Sequence, residues 1–174
     1  EIENLTMKVI TSNQDADELE AEGFEFRSYP TKWNYDLEMN RKRLDQGVLT
    51  FCTFVGYELA AIQWVLPSQQ AHDRMGTWPQ KVDYANGEAS SRGAWVNPKY
   101  RQLGLFRHAA YFHRDPYLIE RGITVLRAAS SQYNKAGPKL AMGIGFTDYA
   151  KAHYVKVLWW KFWKEVPFDT DQSM

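Results

Sequence analysis

The stretch from Glu88 to Ala129 constrains this chain more than any other. Glu88–Val96 reads as a strand that runs into Asn97-Pro98-Lys99-Tyr100-Arg101-Gln102-Leu103, and Gly104 then opens a helix. After Gly104, apolar residues fall at Leu105, Ala109, Phe112 and Ile119, with Phe106, Ala110 and Tyr117 beside them, the spacing of an amphipathic helix. Arg107, Arg114 and Arg121 lie off that face. Pro116 predicts a kink, Asp115 stands where it can cap the second half, and Gly122 ends the helix. Ile123–Ala129 then reads as a second strand. A strand, a helix and a strand in this order predict a right-handed parallel crossover.

The turn inside this unit is chemically informative. A helix start leaves backbone N–H groups without intrahelical partners, and the helix dipole adds positive charge at the same place. A phosphate or diphosphate is the natural occupant, and Arg101 stands beside it with a full charge.

The remaining segments fit a sheet around that unit. Leu5–Ile10 predicts a strand, and Ser12 or Asn13 caps a short acidic helix that runs to Glu22 and stops at Gly23. Trp33–Leu44 predicts a second helix. Val48–Val55 and Leu59–Leu66, joined at Gly56-Tyr57, predict a hairpin that Pro67 ends. Residues 67–87 carry weak periodicity and predict a long loop, either a cover for a substrate site or a surface excursion. Ser130–Met142 predicts a short helix broken near Gly137-Pro138. In His153–Val166, Tyr154, Leu158, Phe162 and Val166 form a helix-like row, but the density of Val, Trp and Tyr favours strands. The expected class is α/β (α+β): a mixed sheet with helices on its faces, folded as one domain over residues 1–174.

Composition excludes several functions. Lys and Arg total 21 against 21 Asp and Glu, with no basic run, so no nucleic-acid footprint exists. One cysteine, Cys52, lies in an apolar strand and suits a reduced core position. No apolar run reaches the ~20 residues of a membrane span, and no signal-peptide core stands at the start. A cytoplasmic protein without a membrane partner is expected. His72, His108, His113 and His153 show no metal-ligand spacing, so no metal is expected.

With these residues in place, the chain resembles the GNAT superfamily of N-acetyltransferases. That family's signature is Arg/Gln-x-x-Gly-x-Gly/Ala after a strand ending in Val-x-Pro. Here Val96-Asn97-Pro98 precedes Arg101-Gln102-Leu103-Gly104-Leu105-Phe106. Glu120-Arg121-Gly122 matches the usual helix end, and Asn134 and Gly145-Phe146 stand at the spacing of the second motif. The likeness covers residues 88–146 in register and the first eighty residues in element order.

The resemblance implies a mostly antiparallel central sheet flanked by helices, with a splayed parallel strand pair forming a cofactor cleft. It implies acetyl-CoA and acetyl transfer to the amine of a small molecule or peptide. Main-chain N–H groups of Gln102, Leu103, Gly104, Leu105 and Phe106, with Arg101, would hold the diphosphate. The end of the strand at Trp95 and Val96 would pair with the pantetheine arm, which Asn134 would also contact. Glu88 is the candidate base, and Tyr133 and Tyr149 are candidate acids. Two positions depart from the family. Phe106 replaces a Gly or Ala, and Ala141 stands where many members carry a Tyr that protonates the leaving thiolate.

Those departures keep a second function open, a module that binds CoA or an acyl thioester without turning it over. A third is an interaction scaffold that uses Trp159-Trp160-Lys161-Phe162-Trp163, a run otherwise expected in the core. A homodimer is an assembly the sequence leaves open.

Overall fold

The computed structural model describes residues 3–26, 37–75 and 78–168. The chain divides into two compact units, one of residues 1–75 with 82–129, the other of residues 76–81 with 130–174.

The first unit is built on a five-stranded sheet: β1 (Leu5–Ile10), β2 (Leu49–Val55), β3 (Glu58–Leu66), β4 (Glu88–Val96) and β5 (Val125–Ala128), side by side in that order. Neighbours are antiparallel except β4 and β5, which are parallel. Both sheet faces are covered. On one, Ile62, Trp64 and Leu66 of β3 pack against Ala16 and Leu19 of α1 (Asn13–Ala21), Leu44 of α2 (Leu37–Asp45) and Ala71 of α3 (Gln69–Met75). On the other, Phe51, Val65 and Ala89 pack against Leu118 and half-buried Tyr117. The alternation along β3 sends successive side chains into different layers. Cys52 is fully buried in the first layer, as expected of a reduced core thiol.

Ser12 caps α1 in a reciprocal capping box with Asp15, and Gly23 follows its end with φ at 93°. The second predicted helix is seen from Leu37, and residues 33–36 of that prediction lie outside the described residues.

Four local expectations need correction. Residues 67–87 are not a structureless loop. They contain α3, whose start is capped by Ser68 Oγ accepting from Ala71 N at 3.2 Å and whose flank is tied by Gln69 Nε2 donating to Asp73 Oδ1 at 2.7 Å. Seven residues give too little periodicity to see. The helix after Gly104 changes type just before Pro116, but its second half has no Asp115 cap. It runs as α4 (Leu105–Ala109), a π-helical turn (Ala110–Arg114) and α5 (Asp115–Ile119) without interruption. The π turn shifts the hydrogen-bond ladder where Pro116 has no N–H to give. Asp115 therefore caps nothing, and its carboxylate accepts from Arg114 Nε at 2.6 Å.

The third correction lies in the second unit. Gly137-Pro138 does not break the helix there but forms the first turn of α6 (Ala136–Gly143), where a missing N–H costs little. The tail is a two-stranded antiparallel ribbon, β6 (Ala150–Val157) with β7 (Trp160–Pro167), as the strand propensities predict. The fourth correction concerns its aromatic run. Trp78, Tyr154 and Trp163 stack on one ribbon face, but Trp159 and Trp160 are 77% and 72% exposed, outside any core. A ribbon of two strands has no second layer of its own to bury both faces.

Candidate functional site

The site begins where β4 and β5 part. Their parallel register runs from Glu88↔Val125 to Ser91↔Ala128 and stops, while β4 continues to Val96 paired only with β3. Burial follows the same division. Ala89, Ser90 and Ser91 are buried, whereas Gly93 and Ala94 are exposed and Trp95 and Val96 are half-exposed. After Ser91, β4 thus continues for five residues without a strand partner on its β5 side among the described strands.

A β-bulge sits at the parting point. Ile62 opposes Trp95 and Trp64 opposes Arg92, so β4 carries one extra residue there. Gly93 supplies the required backbone, with φ at 56°, and a Cβ on it would meet the Trp64 ring at 3.2 Å. Bulges of this kind re-aim a strand and end its pairing. The sequence signal was Gly93 itself, an isolated glycine inside a strand pattern.

Beyond Val96 the chain forms the turn predicted to hold an anion. Asn97 N donates to Ala60 O at 2.8 Å, and Pro98–Tyr100 makes one 3₁₀ turn closed by Tyr100 N to Asn97 O at 2.8 Å. Gln102 and Gly104 then take left-handed backbone angles, φ 65° and 73°. Among the described residues, the backbone N–H groups of Gln102, Leu103, Gly104, Leu105 and Phe106 donate to no backbone or side-chain acceptor. Five consecutive unpartnered donors at a helix head are an arrangement that suits an anion. Nothing lies within 4 Å of where a Gly104 Cβ would be, so the mouth is open.

Two side chains there behave differently from the sequence expectation. Phe106 stands where a Gly or Ala was expected, but its ring is buried, 7% exposed, so the bulk points into the fold. Arg101 folds back, Nε donating to Val96 O at 3.1 Å, so its charge lies over the end of β4.

Glu88 stands at the closed end of the parallel pair. Gly93 at the bulge lies five positions along the strand from it, about 16 Å at 3.3 Å per step. Arg127 donates to it twice, Nε at 2.7 Å and Nη2 at 2.5 Å, and Asp83 N donates at 2.9 Å. The Arg127 hydrogen bonds hold its carboxyl below the usual glutamate range.

In the second unit, Asn134 Oδ1 accepts from Gly137 N at 3.1 Å, so its side chain braces the first turn of α6. Tyr133 is 85% exposed, and Tyr149 Oη donates to Glu165 Oε2 at 3.3 Å. The structure therefore places Trp95 and Val96 at the end of β4 and Arg101–Phe106 in the turn beyond it, leaves Glu88 at the other end of β4, and carries Tyr133, Asn134 and Tyr149 in the second unit.

The sequence placed Arg114 off the buried face of its helix, but the structure buries it, and other polar groups escaped that reading. Arg114, side chain 3% exposed, donates from Nη1 to Gln63 Oε1 at 2.9 Å, and Gln63 Nε2 donates to Ser91 Oγ at 2.8 Å. The chain of bonds ends on the last β4 residue before the parting. On the opposite sheet face, His72 Nδ1 and Tyr84 Oη lie 2.9 Å apart, and burial pushes the Tyr84 phenol up to about 12. Only tertiary packing creates such pairs, so no spacing in the sequence announces them. Among the described residues no helix is long and apolar enough to cross a membrane.

No protein-family model matches the chain, and no curated protein matches it. Solved structures do. The fold is similar to that of aminoglycoside 6'-N-acetyltransferase AAC(6')-Ih from Acinetobacter baumannii, TM-score 0.57 at 16% identity over 88% of this chain and 97% of that one. It is similar to the aminoglycoside acetyltransferase meta-AAC0020 from an uncultured soil metagenomic sample, solved in complex with trehalose, TM-score 0.56 at 14% identity over 91% and 99%. It is also similar to AAC(6')-Iy, solved with the bisubstrate analogue CoA-S-monomethyl-acetylneamine, TM-score 0.57 at 14% identity over 88% and 97%. At such identities the likeness establishes the fold, a GNAT fold.

Proposed function

We propose that the protein is an acetyl-CoA-dependent N-acetyltransferase acting on the amine of a small molecule or peptide. One observation carries this reading: five unpartnered N–H groups, Gln102 to Phe106, stand directly beyond a strand that has parted from its parallel neighbour. The donors suit a diphosphate, and the end of β4, past the last β5 pairing, suits an extended arm bearing amides. Both features occur together, on a fold shared with N-acetyltransferases over most of the chain.

Acetyl-CoA supplies an acetyl group already activated as a thioester. The chain's part is to bind and orient. Gln102–Phe106 donate main-chain hydrogen bonds to the diphosphate, Arg101 adds charge, and the β4 edge at Trp95 and Val96 aligns the arm. Positioning of this kind supplies a large share of the rate when the leaving group is good. The acceptor amine must shed a proton. Glu88 is a poor base for it, since the Arg127 hydrogen bonds lower its carboxylate's proton affinity and the bulge lies several residues away. We assign Glu88 to the strand pair. Tyr133 and Tyr149 stay candidates for returning a proton to the thiolate, and Asn134 for contacting the arm. The cytoplasm, which supplies acetyl-CoA, is the proposed compartment, and the homodimer is tested by sedimentation.

The test is titration with acetyl-CoA followed by release of free thiol across a panel of aminoglycosides, polyamines and peptide amines. Binding with turnover on at least one acceptor is the expected result. Absence of binding overturns the reading.

Ala141 favours a second reading, a module that binds acyl-CoA without chemistry. Its methyl cannot donate a proton where the GNAT pattern places a phenol. The substitution Ala141→Tyr separates the two readings. A rise in turnover supports a working site short of an acid, and tight binding with no turnover in either protein supports the module.

A further inference from the structure

We infer that Glu58 is a positioning residue for acetyl-CoA, a carboxylate clamp that holds the diphosphate turn in its binding conformation. The inference rests on the function proposed above and adds a residue that no spacing in the sequence announced.

Glu58 opens β3, next to the tight turn at Gly56-Tyr57, and its carboxylate lies under the Asn97–Tyr100 turn. Three side chains of that short turn converge on it. Lys99 Nζ donates to Oε2 at 2.7 Å, Tyr100 Oη donates to Oε2 at 2.5 Å, and Asn97 Nδ2 donates to Oε1 at 3.2 Å. Asn97 is fastened further, its Oδ1 accepting from Lys99 N at 3.1 Å. An exposed ion pair alone would contribute little. Three donors from four consecutive residues on one carboxylate do something else, since they fix the path of the backbone.

The clamp reaches the far side of the turn through packing. The Tyr100 ring, 9% exposed, sits in a cluster with Ala60 and Leu105, and half-buried Leu5 and Val55 lie against it. Leu105 is the first residue of α4. Glu58 therefore fixes the chain before Arg101, and the phenol it holds packs on the chain after Gly104. The residues between them carry the free donors.

Those residues need fixing. Gln102 has φ at 65°, a left-handed conformation in a residue with a side chain. Such a backbone persists only where its surroundings over-determine it. The N–H groups of Gln102 to Gly104 make no bonds of their own, so the flanking anchors must hold them in place. A preorganised donor set binds better than one that must be ordered on binding.

The test compares the intact protein with Glu58→Gln, Glu58→Ala and Tyr100→Phe. Backbone NMR of the free proteins reads the turn directly. The expected result is that Gln102, Leu103 and Gly104 amides are ordered in the wild type, and exchange-broadened or shifted to coil values in Glu58→Ala, with the β4–β5 register signals unchanged. Calorimetric titration with acetyl-CoA then reads the consequence. Affinity is expected to fall about tenfold or more in Glu58→Ala, as for loss of a charge-assisted network, and less in Glu58→Gln, which keeps an acceptor. Apparent KM for acetyl-CoA should rise with kcat little changed.

An unaltered turn in Glu58→Ala overturns the clamp, as does equal affinity in wild type and Ala variant. Failure of the wild type to bind acetyl-CoA overturns the proposed function instead, and the NMR comparison still decides the clamp. Should Glu58→Ala fail to fold, Tyr100→Phe, which removes one oxygen from a packed ring, decides in its place.

Discussion

Gly104 offers a clean perturbation of the anion turn. Its φ is 73°, and a Cβ placed on it would touch nothing within 4 Å. The cost of a side chain is therefore conformational and not steric. An L-residue in the left-handed region costs about 1–2 kcal/mol relative to glycine, and Asn costs less because it tolerates that region. The turn is exposed and can relax locally in the free protein, so part of the loss surfaces in affinity. With acetyl-CoA at saturation the turn must adopt its binding form, and the full cost falls on the complex. Gly104→Ala should thus lower the unfolding free energy of the saturated protein by about 1–2 kcal/mol, a fall in Tm of about 2–8 °C at 2–4 °C per kcal/mol. Affinity should weaken by no more than about thirtyfold. Denaturant unfolding with and without ligand, together with calorimetry, measures both parts. The order expected is Gly best, then Asn, then Ala. An Ala variant as stable and as tightly binding as the parent, or an Asn variant worse than Ala, would refute the left-handed turn.

Three further outcomes follow from the packing. Arg114→Met keeps the buried stem but leaves Gln63 Oε1 without its donor, and it should cost about 2–3 kcal/mol, or a Tm lower by about 4–12 °C in thermal unfolding. The Glu88–Arg127 pair has a folded carboxyl pKa below its unfolded value. Its contribution is therefore complete above about pH 4.3, the unfolded value, and is lost as pH falls through the folded pKa. Glu88→Gln should flatten the acid limb of the stability–pH curve and leave acetyl-CoA affinity unchanged, whereas identical acid limbs would dismiss the pair. Cys52 is fully buried and burial pushes its thiol up, so thiol reagents should label it only in denaturant, and Cys52→Ser should cost about 1–3 kcal/mol.

What the sequence made legible has a physical pattern. Long, regular features declared themselves: the strand Glu88–Val96, the helix after Gly104 and the hairpin around Gly56. So did the free donors of the turn at Gly104, because they are backbone groups whose exposure follows from a helix start. What stayed hidden depends on contacts between distant segments. Glu58 and Tyr100 lie 42 positions apart and meet only because β3 and β4 pair. Arg114 reaches Gln63 across 51 positions and sits within a π turn that no periodicity encodes. Glu88 looked like a base from its place on the strand, and only the β4–β5 pairing reveals Arg127 beside it. Segment α3 was too short to show a period, and its Ser68 cap was the one local sign of it.

The central claim is that the amides from Gln102 to Phe106 grasp a diphosphate at the mouth of the parted strands. Amide chemical shifts followed during an acetyl-CoA titration test it most directly. The account predicts large, saturable shifts at those five residues and along Gly93–Val96, with Glu88 and Val125 at the closed end unmoved. Saturable binding that leaves the five amides in place, or no binding at all, would contradict it.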